Sequence, residues 1–345
     1  MTDIKRLDIM KNFAAWDDYV MRHDTSAIFH MSGWGRSVSK SMGHDCYYLY
    51  AEKDEKIIGI LPLIHIKSRL FGNSLVSVAF SIGGGPLFDD QETLVLLDAE
   101  AKKIADELGV DAMEYRQIKR CHDDWPIKAE TYSTFRKVLS ADNEENMLSI
   151  PRKQRAMVRK GIKFGLTYDI DENVDRLFHL YSTSVRNLGT PVFPKSLFKA
   201  LKDEFKDDCE ILTVCTKNGE AISSVMSFYF KQEIVPYYGG GGVSARNYAA
   251  NDFMYWSVME HAVSARSVAL FDFGRSKNGT GAFSFKKNWG FEPTPLEYEY
   301  YLREGDDIPE VNPLNPKYKL MINTWQKLPL PIANFLGPFI AKSLG

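Results

Sequence analysis

The sequence predicts a mixed α/β fold built from two copies of the same module. The order hairpin, strand, glycine cluster, helix and strand occurs twice along the chain. One repetition at a period of roughly 160 residues indicates a domain duplication and not a solenoid. The length of 345 residues leaves room for two domains. We therefore expect each module to hold a mixed central sheet that is flanked by helices.

The first copy opens with helices and continues with strands around one long amphipathic helix. Its hairpin joins two strand-like runs through the tight turn Lys53-Asp54-Glu55. Gly109 ends the long helix, because glycine readily adopts the left-handed conformation that ends helices. The segments predicted in this copy are helices at 9–21 and 92–108, and strands at 46–52, 56–66, 75–82, 112–116 and 134–139.

The second copy repeats this order. Asn218-Gly219 between two strand-like runs is a strong hairpin pattern. The run Gly239-Gly240-Gly241-Gly242 follows a strand and precedes a helix. The segments predicted in this copy are helices at 174–187, 195–205 and 252–266, and strands at 209–217, 220–230, 234–238, 268–273 and 296–301.

Composition divides the chain into four parts. We expect a first module at 1–148, a basic interdomain segment at 149–166, a second module with the active site at 167–303, and a proline-rich apolar tail at 304–345. The basic segment is either a solvated helix face or an arm that contacts phosphate groups of a nucleotide-linked substrate or RNA. Helical spacing puts Arg155 and Arg159 close to one face, which favours a directed patch.

Charge and motif content exclude several functional classes. Lys and Arg total 43 and Asp and Glu total 45, which argues against a dedicated nucleic-acid binder. The four cysteines and seven histidines lack metal-ligand spacing, so no metal site is expected. No GxSxG or HExxH motif is present, which disfavours covalent catalysis. Without a signal peptide or a spanning segment, we expect a cytoplasmic protein, with peripheral contact at the inner membrane face as an open alternative.

The glycine cluster of the second copy is the first candidate site. Four consecutive glycines cost backbone entropy, so we interpret Gly239, Gly240 and Gly241 as a loop that admits a ligand to backbone N–H groups and not as a packing feature. Arg246 and Asn251 follow downstream of the glycines. The alternatives are a wide turn without a ligand and a capping role for Asn251 or Asp252.

The run Phe271-Asp272-Phe273-Gly274-Arg275-Ser276-Lys277 is the second candidate. Asp272 lies on an apolar strand and is followed by two cations. Its carboxylate is either a proton acceptor, a group that orients Arg275 or Lys277, or one half of a structural salt bridge.

Adjacent lysines beside aromatic residues form the third candidate, at residues 284–291. Lys286 and Lys287 are suited to a phosphate or carboxylate group. We interpret the segment as a strand, in which only one of the two lysines faces the site.

These segments resemble a known family. The duplicated order resembles two tandem GNAT-type acyltransferase modules, and residues 251–256, 271–276 and 285–291 resemble the FemAB family. The likeness is strongest to the branch associated with exopolysaccharide and PEP-CTERM protein-sorting systems. It implies N-acyl transfer, aminoacyl or acetyl, onto an amine of a cell-envelope, peptidoglycan-type or exopolysaccharide precursor. An alternative is an inactive scaffold that binds a glycan or nucleotide-sugar, since Ala249 replaces a glycine of the usual GNAT donor motif.

The resemblance also assigns roles to residues. No cofactor is bound permanently, and acyl-CoA or aminoacyl-tRNA serves as co-substrate. Expected partners are a small-molecule or lipid-linked envelope precursor and tRNA. Lys286 matches the motif lysine near the acyl-donor site, and Asp272 and Arg275 match the strand motif of the second module. Together with our own interpretation of the segments above, the expected site residues are Asp272 and Lys286 for catalysis; Gly239, Gly240, Gly241, Arg246, Asn251, Arg275 and Lys277 for the donor; and Thr190, Phe193, Tyr238, Arg155 and Arg159 for the acceptor.

The tail is the last feature with a predicted role. Residues 325–342 are apolar and cationic, as expected of a segment that lies on a membrane surface. The alternative is packing against the first module or a second subunit. The prolines argue against a long helix here.

Overall fold

A computed structural model describes residues 2–68, 71–303, 307–308 and 316–344 of the chain. The chain separates into two units. Unit 1 comprises Met1–Glu130, Leu296–Asn312 and Phe339–Gly345, and unit 2 comprises Thr131–Pro295 and Pro313–Pro338. The helices are α1 (Ala14–Arg22), α2 (Ser32–Met42), α3 (Gln91–Leu108), α4 (Asn143–Ser149), α5 (Arg152–Lys163), α6 (Asp175–Leu188), α7 (Lys195–Phe205), α8 (Ala250–Arg266), α9 (Gly281–Asn288), α10 (Pro316–Lys327) and α11 (Leu330–Ala341).

The strands divide between two sheets, one in each unit. They are β1 (Asp3–Leu7), β2 (Cys46–Lys53), β3 (Lys56–Ser68), β4 (Gly72–Ser77), β5 (Leu87–Phe88), β6 (Ala112–Tyr115), β7 (Ile127–Lys128), β8 (Tyr132–Val138), β9 (Thr167–Ile170), β10 (Cys209–Cys215), β11 (Ala221–Phe230), β12 (Glu233–Gly241), β13 (Leu270–Asp272), β14 (Ser276–Lys277), β15 (Pro293–Pro295) and β16 (Tyr298–Leu302).

The sheet of unit 1 has the order β1-β2-β3-β4-β6-β16-β7, and β5 pairs with β3. Its strands are antiparallel except for the pair β4 and β6. Asp54 and Glu55 have φ angles of +50° and +61°. Two positive φ angles give the turn the twist that a hairpin needs, which confirms the predicted turn between β2 and β3. Gly109 ends α3 with a φ of +62°, as predicted.

The sheet of unit 2 has the order β14-β8-β13-β12-β11-β10-β9, and β15 pairs with β8. The predicted hairpin at Asn218-Gly219 joins β10 to β11, and Gly219 has a φ of +81°. The strands β12 and β13 run parallel. Side chains of α8, including Met254 and Trp256, pack on this sheet in the unit's core.

The closing strands of the two modules are exchanged relative to the sequence prediction. The order of the sequence assigns the segment 134–139 to the first module, but β8 pairs with β13, β14 and β15 in unit 2. It assigns the segment 296–301 to the second module, but β16 pairs with β6 and β7 in unit 1. The units therefore divide after Glu130 and after Pro295, which differs from the predicted boundaries at 148 and 303.

The tail forms two short helices, α10 and α11, of 12 residues each, in agreement with the expectation that its prolines prevent one long helix. Pro331 lies in the first turn of α11, where a missing N–H is tolerated, and Pro338 lies inside the helix. In unit 2 the tail packs on α6: Arg186 Nη1 donates to the carbonyl of Gln326 at 3.3 Å, and Asn334 Nδ2 to Ser182 Oγ at 3.3 Å. Residues 304–306, 309–315 and 345 of the predicted tail lie outside the described residues.

Candidate functional site

Two parallel strands of unit 2 separate from each other at the candidate site. Among the described residues, β12 and β13 pair only at Glu233 with Leu270 and at Ile234 with Phe271. Beyond these pairs β12 continues to Gly241, whereas β13 ends at Asp272. The pairing of β12 with β11 also shifts between Pro236 and Tyr238, which indicates a β-bulge at Tyr237. Beyond Ile234, β12 pairs with no strand on its β13 side among the described residues.

Asp272 lies at the point where the strands separate, and its side chain is buried. Its Oδ1 accepts hydrogen bonds from Thr134 Oγ1 at 3.1 Å and from the Gly274 N–H at 2.7 Å. Its Oδ2 lies 3.4 Å from Nε of Arg136. Burial raises the pKa of Asp272, and the charge of Arg136 acts in the opposite direction. The carboxylate is thus held firmly, which favours an orienting role over proton transfer.

Two charged partners of Asp272 are absent from the sequence prediction. Arg136 on β8 lies opposite Asp272 in the register of the sheet and also donates to the carboxylate of Glu233. Burial, together with the charge of Asp272, raises the pKa of Glu233 to about 7, although Arg136 opposes the shift. No local pattern could reveal this cluster, because it exists only once β8 joins the sheet of unit 2.

Lys286 lies on helix α9, so the prediction of a strand at 284–291 was wrong. Thr280 begins the helix, and its Oγ1 accepts from the N–H of Phe283 at 3.3 Å. The ammonium of Lys286 donates to the carbonyl of Gly274 at 2.9 Å and to that of Arg275 at 3.0 Å. Lys287, the next residue, is exposed.

The environment of Lys286 shifts its proton affinity. Burial lowers the pKa of Lys286 to about 7, although the charge of Asp272 opposes the shift. Near neutral pH a large share of this amine is therefore uncharged. A neutral amine keeps two N–H donors for the two carbonyls and has a lone pair that can accept a proton.

Arg275 and Lys277 follow directly after Asp272. The guanidinium of Arg275 lies 4.7 Å from the ring centre of Tyr132, a cation–π contact. Lys277 belongs to β14, which pairs with β8. Both side chains are half-buried, so the structure keeps them next to the strand end that carries Asp272.

The glycine cluster serves close packing, contrary to our expectation. A Cβ at Gly240 would lie 2.8 Å from Tyr181 Cα and 3.0 Å from the Leu180 carbonyl oxygen, both on α6. A Cβ at Gly241 would lie 2.9 Å from Asn251 Oδ1. Gly239 is less crowded, with 3.3 Å to the Tyr255 hydroxyl. Because glycines have no side chain, the cluster lets α6 pack closely on one face of the sheet and the start of α8 on the other.

The loop between β12 and α8 carries the remaining donor-side predictions. Arg246 and Asn251 are exposed. Helix α8 begins at Ala250, so neither Asn251 nor Asp252 is its cap. The residue at the cap position is Ala249, which has a φ of +54° that suits glycine better than alanine. Asp252 is buried and lies 3.3 Å from the indole nitrogen of Trp289.

Phe193 and Tyr238, predicted for the acceptor side, lie together. Their ring centres are 6.0 Å apart, and Tyr238 also packs edge-on against Phe198 at 5.1 Å. The Tyr238 hydroxyl is buried and finds no hydrogen-bond partner among the described residues. Thr190 is exposed in the loop that follows α6.

Arg155 and Arg159 lie on α5, in a groove of about 440 Å³. The buried side of this helix packs on α8, where a Cβ at Gly161 would lie 2.7 Å from Phe253 Cβ. Within the described chain, neither Asp272 nor Lys286 lines this groove. The groove is lined by Arg152, Arg155, Ala156, Arg159, Lys160 and Lys163.

Two general features of the described residues bear on the site. Across residues 2–68, 71–303, 307–308 and 316–344, no three His, Cys, Asp or Glu side chains are grouped in a way that could hold a metal ion. None of the described helices is both long and apolar enough to cross a membrane.

Comparisons with known proteins agree with this architecture. Residues 149–287 match the family model of the acetyltransferase (GNAT) domain. The crystal structure of FemX is similar over 93% of this chain and 100% of that chain, with 16% identity and a TM-score of 0.65. The C-terminal domain of a putative lysylphosphatidylglycerol synthetase from Agrobacterium fabrum is similar over 87% of this chain and 93% of that chain, with 14% identity and a TM-score of 0.59.

A third similar structure is a tandem GNAT protein from the clavulanic acid biosynthesis pathway, in a form without acetyl-CoA. It covers 89% of this chain and 100% of that chain, with 11% identity and a TM-score of 0.56. None of the curated proteins matches the chain in sequence. Likeness at these identities establishes the fold, and the predicted mixed α/β fold with two GNAT-like modules in tandem is confirmed.

Proposed function

We propose that this protein is an N-acyltransferase of the FemAB type that transfers an acetyl or aminoacyl group to an amine. The observation that carries the proposal is the separation of β12 and β13 beside Lys286, within the residues that match the GNAT domain model. A gap between two parallel strands exposes backbone N–H groups, which are the donors that a developing oxyanion needs. The second module provides the site.

The donor is acyl-CoA or aminoacyl-tRNA, and no cofactor is bound permanently. Its carbonyl group would lie along the open edge of β12, near Gly239 and Gly241. Arg275 and Lys277 supply positive charge at the strand end, and Arg246 and Asn251 are exposed at the start of α8, where phosphate groups are favoured. The structure of the similar tandem GNAT protein from the clavulanic acid pathway is described as the form without acetyl-CoA. This mention of acetyl-CoA supports acyl-CoA as the donor.

Lys286 is the proton acceptor in this proposal. The acceptor amine attacks the carbonyl carbon, a C–N bond forms, and the C–S or C–O bond to the donor breaks. The proton that the amine loses passes to neutral Lys286, which returns it to the leaving group. Asp272 is a positioning residue, since its bond to the Gly274 N–H fixes the loop whose carbonyls hold Lys286.

The acceptor is an amine of a cell-envelope precursor, either peptidoglycan-type or of the exopolysaccharide branch, and either small or lipid-linked. The neighbour described as a putative lysylphosphatidylglycerol synthetase supports an aminoacyl donor and an envelope lipid. Phe193, Tyr238 and Thr190 lie on the proposed acceptor side. Arg155 and Arg159 would contact phosphate groups of the precursor or of tRNA.

The variant Lys286→Met tests the proposal, with Lys287→Met as its matched control. Met keeps an unbranched stem but has no amine, and Lys287 is exposed on the same helix. Loss of a general base costs about 10²–10⁴ in rate. We therefore expect Lys286→Met to lose at least about 100-fold in transfer from acetyl-CoA or aminoacyl-tRNA to a panel of envelope amines, and Lys287→Met to behave like wild type.

The pH profile adds a test that distinguishes a catalytic role of Lys286 from a structural one. Because Lys286 must be neutral to accept a proton, kcat/KM should rise as the pH increases through about 7. Thermal unfolding of both variants checks that the fold is retained. Full activity of a folded Lys286→Met variant, or an unchanged pH profile in it, would contradict the role of Lys286.

An inactive scaffold that binds a glycan or nucleotide-sugar is the second candidate. Ala249 favours it, because alanine with a φ of +54° stands where the usual donor loop has glycine. Thermal shifts separate the two candidates. Stabilisation by acetyl-CoA or aminoacyl-tRNA supports the enzyme, whereas stabilisation by glycans alone supports the scaffold.

A further inference from the structure

Helix α11 presents its large apolar side chains to the outside and its small ones to the protein. Ala333 is 1% exposed, and Gly337 is buried. In contrast, Ile332 is 46% exposed and Phe335 70%. Globular proteins normally bury the large apolar face of a surface helix. This reversed distribution of large and small side chains in α11 indicates that its exposed apolar face binds a partner.

Contacts with unit 2 fix this orientation. A Cβ at Gly337 would lie 2.9 Å from the Val192 carbonyl oxygen, so only glycine allows this approach. One turn earlier, Asn334 Nδ2 donates to Ser182 Oγ at 3.3 Å. Turning α11 inward would break these contacts and force larger side chains against Val192.

The charge around α11 indicates the nature of the partner. From residue 316 to the end, the sequence has four lysines and no acidic residue, whereas the whole chain has a net charge of −2. Two of these lysines, Lys327 and Lys342, stand at the two ends of α11. A helix with apolar residues between two cationic ends matches an anionic bilayer, in which the headgroups are negatively charged and the interior is apolar.

We propose that α11 docks the protein on a membrane surface that contains anionic phospholipids. The helix has 12 residues, and at 1.5 Å per residue it is far shorter than the roughly 30 Å of a bilayer core. It therefore lies in the plane of the interface, with Ile332 and Phe335 among the upper acyl chains. Membrane docking does not depend on acyl transfer, and it goes beyond the proposed reaction.

A second copy of this chain fits the surface less well than a membrane does. Aromatic side chains offer about 150–250 Å² each, so Phe335 at 70% exposure and Phe339 at 61% together offer only roughly 200–330 Å². A stable dimer buries about 800 Å² on each partner. The lysines of two facing tails would also repel each other.

Co-sedimentation of the full chain with vesicles tests the proposal. The vesicles are phosphatidylcholine alone and phosphatidylcholine with phosphatidylglycerol. The test variant is Ile332→Ala with Phe335→Ala, and the control is Val95→Ala on α3, where Val95 is 59% exposed. We expect wild type and Val95→Ala to bind the anionic vesicles, and the double variant to bind roughly tenfold more weakly.

Several results would overturn the proposal. One is wild-type protein that stays in solution with anionic vesicles, and another is equal binding by the double variant. A third is a dimer in analytical ultracentrifugation that the double variant abolishes, since this would identify a second copy as the partner. Acyl transfer to a soluble amine should be the same in the wild type and the double variant, so a failure of docking remains distinct from a failure of the proposed reaction.

Discussion

Replacing Gly240 with alanine tests whether the glycine cluster of β12 is needed for packing. The new Cβ would lie 2.8 Å from Tyr181 Cα, 2.8 Å from Ser184 Cβ and 3.0 Å from the Leu180 carbonyl oxygen. Carbon atoms in good contact lie about 3.5–4.0 Å apart. Since two of these atoms belong to the backbone of α6, no side-chain rotation relieves the clash. We expect Gly240→Ala to lower the free energy of unfolding by roughly 1–3 kcal/mol, the usual cost of overpacking.

Urea unfolding measures this loss. Gly281→Ala is the control, because no atom lies within 4 Å of its added Cβ and its glycine is already helical. Helix propensity predicts an unchanged or slightly higher stability there, by at most about 1 kcal/mol. Gly240→Ala should lower the urea midpoint with an unchanged slope. A midpoint equal to that of wild type would refute the packing role and leave ligand access as the reason for the cluster.

Two ionised networks predict how stability depends on pH. In unit 1, burial alone would lower the pKa of His122, but its bonds to Asp98 at 2.8 Å and Glu299 at 3.1 Å raise the pKa to about 9. The stabilisation by these two bonds is complete below about pH 6.5, the pKa of His122 in the unfolded chain, and is lost as the pH rises through 9. The urea midpoint of wild type should therefore fall in this pH range, whereas the midpoint of His122→Gln should not. In unit 2, burial alone would raise the pKa of Glu210, but hydrogen bonds from His261, Tyr229 and Arg266 lower it to about 2. This stabilisation is present above about pH 4.5 and is lost as the pH falls through 2, so Glu210→Gln should lower the free energy of unfolding at pH 7 and flatten the acid side of the stability profile. A variant whose pH profile matches that of wild type would contradict the respective network.

The first module contains the glycine cluster of the first copy, Gly83-Gly84-Gly85, and backbone hydrogen bonds hold this cluster in place. The N–H groups of Gly84 and Gly85 both donate to the carbonyl of Arg116, at 2.9 Å each. The side chain of Arg116 is buried, and its Nη1 donates to the carbonyl of Ser81 at 3.3 Å. The glycine loop of unit 1 is thus tied to the residue that follows β6. This difference supports the proposal that acyl transfer belongs to the second module.

Patterns with a local physical cause predicted much of the fold. The φ angles of Asp54, Glu55 and Gly219 reflect turn chemistry, which depends on a few neighbouring residues. Helix α7 spans Lys195–Phe205, the same bounds that its periodicity predicts. The segment of Lys286 shows the limit of this reasoning. The aromatic residues Phe283 and Phe285 alternate as in a strand, but Thr280 begins a helix in which Phe285 and Trp289 lie one turn apart.

The charged cluster around Asp272 depends on information that no local pattern holds. Alternating residues identify β8 as a strand, but they do not determine which sheet it joins. In unit 2, β8 brings Arg136 opposite Asp272 and within reach of Glu233, so the partly exposed side chains of Arg136 and Glu233 meet at the buried carboxylate of Asp272. With β8 in the first sheet, Asp272 would lose Arg136, the larger of its two nearby positive charges, and a buried carboxylate with weak compensation is strongly disfavoured. The exchange of β8 between the modules therefore supplies the main counter-charge of this buried acid.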